Sequence, residues 1–383
     1  MIRRGEAPFA AGYLAYYMAF GVFMPYWSAH LAHLGWTAAS IGIVLALFNT
    51  VRIVSPLVGG WLLDVAGERK RVLVIGATLA CLSAVWAGAA RSSLSIGVSI
   101  AVYSLAFTSI LPAYDAVVLD RLGADRSHYG RLRLWGSIGF VVMVLGVGAL
   151  IERHGDGVIP WALVGGHVLA VCVFLTLPRG GGHRGPRQAA GGGFLHALSD
   201  TPTRLLLLIA FLQIAGFGAF NGFYTIFLRH YGYSERWISV FWSLGVLSEI
   251  VMFWLSPRIL ARVSMGRLLG WSVALTALRW VVMALLPNSL LWNLLAQISH
   301  AACFGLFQAC TVMLAARFAP PGSGGRAQAL LSAAGAGLGG IVGSLVAGCL
   351  YQQFGPAAAF WGGAGFALLA LLCTVWPSFL ARL

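Results

Sequence analysis

Twelve long apolar runs follow one another along the chain, and this pattern constrains its fold more than any other feature. An α-helix needs about 20 apolar residues to cross a bilayer, and in lipid every backbone polar group must be paired within its own segment. The runs therefore predict an all-α membrane protein with twelve transmembrane helices. The predicted spans 1 to 6 cover 8–31, 38–63, 72–90, 94–119, 132–151 and 158–177, and spans 7 to 12 cover 204–229, 237–260, 267–286, 289–317, 327–350 and 357–377.

The composition excludes a soluble protein. Hydrophobic residues make up 59% of the chain and charged residues 9%, whereas a soluble domain carries about 25% charged residues. A soluble protein of this composition would expose large apolar patches. The net charge of +14 does not indicate a nucleic-acid partner, because the basic residues lie in short breaks between apolar runs. The predicted partner is the lipid bilayer.

The breaks also predict domain organisation and orientation. Residues 178–203 are rich in glycine and basic residues, which is typical of a flexible linker between an N-terminal six-helix bundle, 1–177, and a C-terminal six-helix bundle, 204–383. With the N-terminus inside, 18 of the 25 Lys and Arg residues fall in inner segments and 4 in outer segments. We therefore expect both termini in the cytoplasm of a bacterial inner membrane, with the first run an uncleaved helix.

A weak internal repeat supports two related halves. The segment 34–37 resembles 231–234 at an offset of 197 residues, and the same offset aligns Gly21 with Gly218 and Trp27 with Tyr224. Parallel six-span repeats are typical of secondary transporters whose substrate site lies between the halves.

The residues that carry enzyme or metal chemistry lack the necessary spacing. The six cysteines lie singly in apolar runs and form no CxxC or CxxH pattern. The chain also lacks a nucleophile elbow and a phosphate loop. We therefore expect no metal, no cofactor and no enzymatic activity. A membrane enzyme or a transporter-derived sensor is the least favoured alternative.

The break after span 2 carries the most specific motif. Gly60, Asp64 and Gly67 are followed by the basic residues Arg69 and Lys70, and this pattern resembles the loop between spans 2 and 3 of the major facilitator superfamily. The resemblance implies a conformational latch, since a glycine permits close packing and an aspartate can accept from a helix N-terminus. The alternative is a basic loop that only sets orientation. The equivalent segment 257–264 lacks the aspartate and the glycine.

An ionisable side chain inside a predicted span costs a few kcal/mol, and six such side chains are functional candidates. Their near-balance of charge suggests pairs around a water-filled cavity. They are Arg52, Asp115, Arg133, Glu249, Arg279 and His300.

Several strings together resemble the phenylpropionate permease branch of the superfamily, which is related to lactose permease and the nucleoside–proton symporters. The resemblance covers nearly the whole chain except the linker. The strings are 12–27 in span 1, 112–116 in span 4, 129–140 in span 5, 242–249 in span 8, 278–280 in span 9 and 297–301 in span 10.

The resemblance implies roles for the charged residues. Asp115 and Arg133 match, with the same separation, a carboxylate and an arginine that pair with each other and contact substrate in lactose permease, so we expect them to be partners. Glu249, Arg279 and His300 match groups that provide proton coupling and substrate affinity there. One position departs from the pattern, because Cys303 replaces the carboxylate that takes the coupled proton. The proton is therefore expected on Glu249 or Asp115. A purely structural role for His300 and an interfacial role for Arg133 stay open.

Arg52 aligns with Glu249 at the offset of 197, so these residues could pair across the two halves. Arg52 could instead pair with Asp115 in its own half. Aromatic and polar residues of spans 1 and 7 are candidates for substrate contact, although most such residues serve packing. The candidates are Tyr16, Tyr17, Phe20, Asn221 and Phe223.

The leading hypothesis is a monomeric, proton-coupled importer of a small, aromatic carboxylic acid that works by alternating access. A second hypothesis is a proton-coupled exporter of drugs or metabolites, because the latch motif does not set direction. A symporter of a nucleoside or a sugar is a further alternative.

Overall fold

The structure is a computed structural model of the chain. It describes residues 5–66, 68–123, 128–178, 200–320 and 323–380, and the side chains of 56–66 fall outside the description. Within these ranges the secondary structure is helical and contains no strand, as predicted.

Twelve segments of the described chain are long and apolar enough to cross a membrane. The predicted spans are confirmed, and most helices extend a few residues beyond the predicted ends. The α-helices are Ala7–His33, Ala38–Ala66, Arg69–Ala89, Ser93–Leu122, Tyr129–His154, Ile159–Thr176, Thr201–Gly216, Gly218–His230, Glu235–Leu260, Met265–Leu285, Leu290–His300, Phe307–Phe318, Gly324–Ser332, Gly340–Phe354, Pro356–Thr374 and Pro377–Leu380.

Among the described residues, spans 7, 10 and 11 are interrupted inside their apolar runs. Span 7 joins two α-helices at Phe217. Span 10 contains the π-helical turn Ala301–Leu306, and span 11 contains the π-helical turn Ala333–Gly339. In a π-helical turn the backbone hydrogen bonds run from residue i to i+5, and such turns occur frequently at functional sites. The sequence analysis did not predict these interruptions.

Turn residues explain where several spans begin and end. Gly35 and Gly155 follow the ends of spans 1 and 5 with φ of 83° and 76°, a conformation that glycine adopts without strain. The side chain of Ser92 accepts from the amide of Ser95 and caps the start of span 4. Short polar turns of this kind keep the breaks between spans brief.

Large apolar side chains cover much of the outer surface. Leu94 and Phe354 are 78% and 72% exposed, and Trp161 and Trp254 are also largely exposed. A surface of this composition is stable in contact with lipid tails, and exposed tryptophans are typical of the membrane–water interface.

The chain divides into two compact units. Unit 1 comprises Met1–Gly35, Leu47–Arg187 and Ser234–Ser243, and unit 2 comprises Trp36–Ala46, Gln188–Tyr233 and Leu244–Leu383. Each unit contains most of one predicted half together with a short piece of a span from the other. The bundle boundaries 1–177 and 204–383 stay a prediction, and most of the predicted linker lies outside the described residues.

Span 1 packs closely on span 5 inside unit 1, and glycines make this possible. A Cβ built at Gly139 would overlap the backbone carbonyl of Leu14, and one built at Gly136 would lie 2.6 Å from the ring of Tyr17. Small residues let helix backbones approach each other, and close packing is a main source of stability between helices in lipid.

We expect the variant Gly139→Ala to be less stable than the wild type by about 1–3 kcal/mol, because the added methyl group forces the two backbones apart. Gly146 is the matched control, since it lies on the same helix and a Cβ there would meet nothing within 4 Å. Gly146→Ala should leave the melting temperature of the purified protein almost unchanged. Equal melting temperatures for the two variants would contradict this account of the packing.

Candidate functional site

Unit 1 places Arg133 beside Tyr17. The guanidinium donates to the Tyr17 hydroxyl, and its central carbon lies 4.5 Å from the centre of the Tyr17 ring. Gly136, one turn after Arg133, leaves the space that the Tyr17 ring occupies. The predicted site residues Arg133 and Tyr17 therefore lie together.

Asp115 is held by a different tyrosine. The hydroxyl of Tyr13 donates to a carboxylate oxygen of Asp115 at 2.5 Å. The comparison with lactose permease led us to expect Asp115 and Arg133 as partners, yet these two described side chains do not approach within the 4.0 Å of an ion pair. Tyrosine hydroxyls take both positions, because spans 1, 4 and 5 converge on this point of unit 1.

The remaining candidates of unit 1 are two aromatic residues, which lie in a cluster of rings, and Arg52. The ring of Tyr16 stacks on that of Phe107 with centroids 4.5 Å apart. The ring centroid of Phe20 lies 6.0 Å from that of Phe107. Arg52 is exposed and does not form an ion pair with Asp115 within 4.0 Å, so that predicted pairing is absent from this structure. Pairing of Arg52 with Glu249 stays a prediction.

Unit 2 buries Arg279 almost completely, at 2% exposure. Its guanidinium carbon lies 4.6 Å from the centre of the Phe220 ring, 4.5 Å from that of Trp280 and 5.9 Å from that of Phe217. None of the described carboxylates lies within the 4.0 Å of an ion pair, and Nε has no hydrogen-bond partner among the described residues. The site is thus a buried cation enclosed by aromatic rings.

Two neutral side chains of span 10 hold the guanidinium. One terminal nitrogen of Arg279 lies 3.0 Å from Nδ1 of His300, and the other donates to Oε1 of Gln297 at 3.0 Å. Gln297 in turn donates to the hydroxyl of Tyr224 at 2.7 Å. Gln297 was not among the predicted site residues, although its spacing of three residues from His300 places both on one helix face.

The contacts of His300 define which of its nitrogens carries the proton. Because an arginine can only donate, Nδ1 of His300 must accept, and the ring proton then resides on Nε2. Nε2 lies 3.9 Å from a carboxylate oxygen of Glu249. The three predicted residues Glu249, His300 and Arg279 therefore form a chain from carboxylate through imidazole to guanidinium.

The C-terminal part of the sequence, which supplies Arg279 and His300, is poor in negative charge. From residue 250 to the C-terminus there are seven arginines and no aspartate or glutamate. Cys303, which replaces the expected carboxylate, is buried at 0% exposure. Glu249 is therefore the carboxylate that unit 2 brings nearest to His300 among the described residues.

The two predicted site residues of span 7, Asn221 and Phe223, are not among the contacts of Arg279 and His300 described above. Phe223 is fully buried, and its ring lies 5.6 Å from that of Tyr351 in span 11, so it packs two spans together in this structure. Asn221 is half-buried. The residues of span 7 whose rings lie near Arg279 are instead Phe217 and Phe220.

The basic residues of the predicted latch bind the C-terminal ends of neighbouring helices of unit 1. Arg69 forms an ion pair with Asp120 of span 4. The Nζ of Lys70 donates to the backbone carbonyls of Leu175 at 2.6 Å and Leu177 at 2.7 Å, which caps the end of span 6. The surroundings of Gly60, the side chain of Asp64 and all of Gly67 lie outside the description.

No cluster of three or more His, Cys, Asp or Glu that could hold a metal occurs in the described part of the chain. The side chains described above offer a buried positive charge, a carboxylate and hydrogen-bonding groups. Such a site can bind an anion and exchange protons.

Comparison with known proteins agrees with the fold. The model of the MFS_1 like family, within the major facilitator superfamily, matches residues 8–361. A probable 3-phenylpropionic acid transporter of Escherichia coli is 30% identical over 378 residues, which is 97% of each chain. A maltose permease of Geobacillus stearothermophilus is 28% identical and covers 95% of this chain and 90% of its own.

Solved structures show the same fold. The crystal structure of the nucleoside transporter NupG superposes with a TM-score of 0.87 at 18% identity, and it covers 99% of both chains. The twelve apolar spans, the family match and this superposition lead to one conclusion. The chain belongs to the MFS_1-like family, and it is a multi-pass membrane protein that acts as a secondary transporter and not as an enzyme.

Proposed function

We propose that the protein is a proton-coupled importer of a small aromatic carboxylic acid and that it works by alternating access. It would reside in a bacterial inner membrane with both termini in the cytoplasm. The observation that carries this proposal is the environment of Arg279. Its guanidinium is buried, enclosed by aromatic rings and held by two neutral side chains.

The electrostatics of Arg279 favour an anionic substrate. Burying a cation costs several kcal/mol unless a negative group compensates it. A substrate carboxylate can supply that charge, and a guanidinium can bind it with two parallel hydrogen bonds. The rings of Phe220 and Trp280 offer flat apolar surfaces at 4.6 and 4.5 Å from the same guanidinium carbon. An aromatic acid would match both the charge and the rings.

The neighbouring side chains Glu249, His300 and Arg279 couple the binding of this anion to the binding of a proton. When Glu249 is ionised, its negative charge offsets that of Arg279 through the intervening His300. When Glu249 takes a proton, the offset is lost and Arg279 attracts an external carboxylate more strongly. By linkage, a bound carboxylate must then raise the proton affinity of Glu249 by the same factor. Proton and anion therefore bind together, which is the requirement for symport.

Unit 1 provides a second arginine for the substrate. Arg133 is held by Tyr17, and Tyr13 holds Asp115, so both charged groups are oriented by neutral hydroxyls. A hydroxyl partner is displaced by an anion more readily than a carboxylate would be. Arg133 could thus bind the substrate carboxylate in another state of the transport cycle.

The relatives support a small organic substrate but differ in what their names state. The Escherichia coli relative is named for 3-phenylpropionic acid and the Geobacillus relative for maltose. The buried Arg279, which a neutral sugar does not require, favours the aromatic acid. Export of a drug or metabolite, and symport of a nucleoside or a sugar, are the alternatives.

A thermal-shift assay on the purified protein tests the substrate class. The ligands are 3-phenylpropionate, 3-phenylpropionamide, maltose and uridine, and the amide is the matched control because it has the same ring and chain without the charge. A ligand at about 100 times its Kd stabilises the folded state by about 2.7 kcal/mol. We expect 3-phenylpropionate to raise the melting temperature, more at pH 6 than at pH 8, and the amide to have no effect.

Two results would overturn the proposed substrate class. Equal stabilisation by the acid and the amide would show that the charge is not recognised. Stabilisation by maltose or uridine alone would assign the protein to sugar or nucleoside transport.

A further inference from the structure

The π-helical turn of span 10, Ala301–Leu306, begins directly after His300. A π-helical turn contains one extra residue compared with an α-helical one. Because each residue of an α-helix turns the chain by about 100°, loss of the extra residue would rotate the first part of span 10 relative to the second by about that angle. The position of His300 therefore depends on this turn being retained.

Gln213 of span 7 binds the turn. Its side chain is completely buried, at 0% exposure. Its Nε2 donates to the backbone carbonyl of Cys303 at 3.1 Å, inside the π-helical turn, and to the hydroxyl of Thr276 at 2.7 Å. One amide group thus connects spans 7, 9 and 10.

The two partners of Gln213 each lie one helical turn away from a residue of the proposed proton-coupling site, Arg279 or His300. Thr276 precedes Arg279 by three residues on span 9, and Cys303 follows His300 by three residues on span 10. Gln213 itself contacts neither Arg279 nor His300 through a hydrogen bond. Its hydrogen bonds instead fix the distance between span 9, which carries Arg279, and span 10, which carries His300.

The acceptor of the same amide is not used. Among the described residues, Oε1 of Gln213 has no hydrogen-bond partner, and a buried acceptor in that state costs about 1–3 kcal/mol. An apolar side chain of similar length would avoid this cost. The two bonds that Nε2 donates therefore give the reason for an amide at this buried position.

We infer that Gln213 is a positioning residue for proton coupling. It holds the π-helical turn of span 10 and keeps His300 within hydrogen-bond distance of Arg279. This inference rests on the proposed function for its effect on transport, but its structural part can be tested without a substrate.

The test compares Gln213→Met with Thr311→Val by amide hydrogen exchange in lipid nanodiscs. Methionine keeps the length of glutamine and removes both donors. Thr311 is the matched control because it is a buried hydroxyl of span 10 that bonds to carbonyls of its own helix. We expect exchange at residues 301–306 to be about tenfold faster in Gln213→Met and unchanged in Thr311→Val. The melting temperatures of the two variants should be similar.

A transport readout separates positioning from general stability. In proteoliposomes, Gln213→Met should move the pH of half-maximal 3-phenylpropionate uptake by about half a unit or more, while Thr311→Val keeps the wild-type profile. A loss of stability alone would lower uptake equally at every pH.

Exchange at 301–306 that matches the wild type in Gln213→Met would overturn the inference, whatever the transport data show. If Gln213→Met does not fold, Thr276→Val replaces it and should change the exchange in the same direction by a smaller factor; unchanged exchange there also overturns the inference. Absence of 3-phenylpropionate uptake in the wild type would contradict the proposed function and leave the exchange result valid.

Discussion

Replacing Arg279 by glutamine is expected to lower kcat/KM for 3-phenylpropionate uptake by about 100-fold or more. The substitution removes the positive charge that binds the substrate carboxylate. Loss of one partner from a buried charge pair costs about 3–5 kcal/mol, and every 1.4 kcal/mol is about tenfold in affinity. The measurement is the initial rate of labelled substrate uptake by the purified variant in proteoliposomes.

Arg267→Gln is the control for this variant. Arg267 is an exposed arginine of the same span and donates to Ser264 near the start of the helix. Its removal changes the net charge by the same amount but should leave kcat/KM within about twofold. Comparable rates for Arg279→Gln and the wild type would show that Arg279 does not bind the substrate.

Replacing Glu249 by glutamine is expected to abolish the response of transport to a pH gradient while exchange of substrate across the membrane continues. Glutamine has nearly the same shape as glutamate but cannot take or release the coupled proton. The loaded carrier can still reorient, because Arg279 and the rings around it are unchanged. The measurement is a pair of assays on one preparation, gradient-driven uptake and exchange of labelled for unlabelled 3-phenylpropionate.

The control for Glu249 is another carboxylate of the chain. Glu235→Gln changes a glutamate in the first turn of the same α-helix, Glu235–Leu260, and should retain the gradient response. A Glu249→Gln protein that still responds fully to the gradient would move the coupling role to Asp115, the other carboxylate that the sequence indicates.

The apolar runs determined the spans because lipid permits few other structures. Arg279, Glu249 and His300 could also be identified from the sequence, since an ionisable residue inside an apolar run is rarely without a function. Their mutual geometry could not be identified in the same way. It depends on how spans 8, 9 and 10 rotate against one another in unit 2.

The rest of the candidate site was hidden because its residues are ordinary in an apolar sequence. Phe220 and Trp280 are two of many aromatic residues, and only the fold brings both within 5 Å of the Arg279 guanidinium. Gln213 is a single amide in span 7 whose partners come from spans 9 and 10. Tertiary packing, which has no local signal, places these groups.

The expected partnership of Asp115 and Arg133 shows a limit of reasoning by resemblance. The residue types and their separation match the lactose permease pattern, but Tyr13 and Tyr17 bind the two charges in this structure. The tyrosines were visible in the sequence as part of an aromatic-rich span. The Tyr17 hydroxyl reaches Arg133 because Gly136 and Gly139 allow span 1 to pack close to span 5.

The central claim is that a proton and a carboxylate move together. The most direct measurement is the initial rate of 3-phenylpropionate uptake by wild-type proteoliposomes with and without an inward proton gradient, corrected by protein-free liposomes for passive entry of the acid. We expect the gradient to increase the rate and a protonophore to return it to the value without a gradient. A corrected rate that is the same with and without the gradient would contradict it.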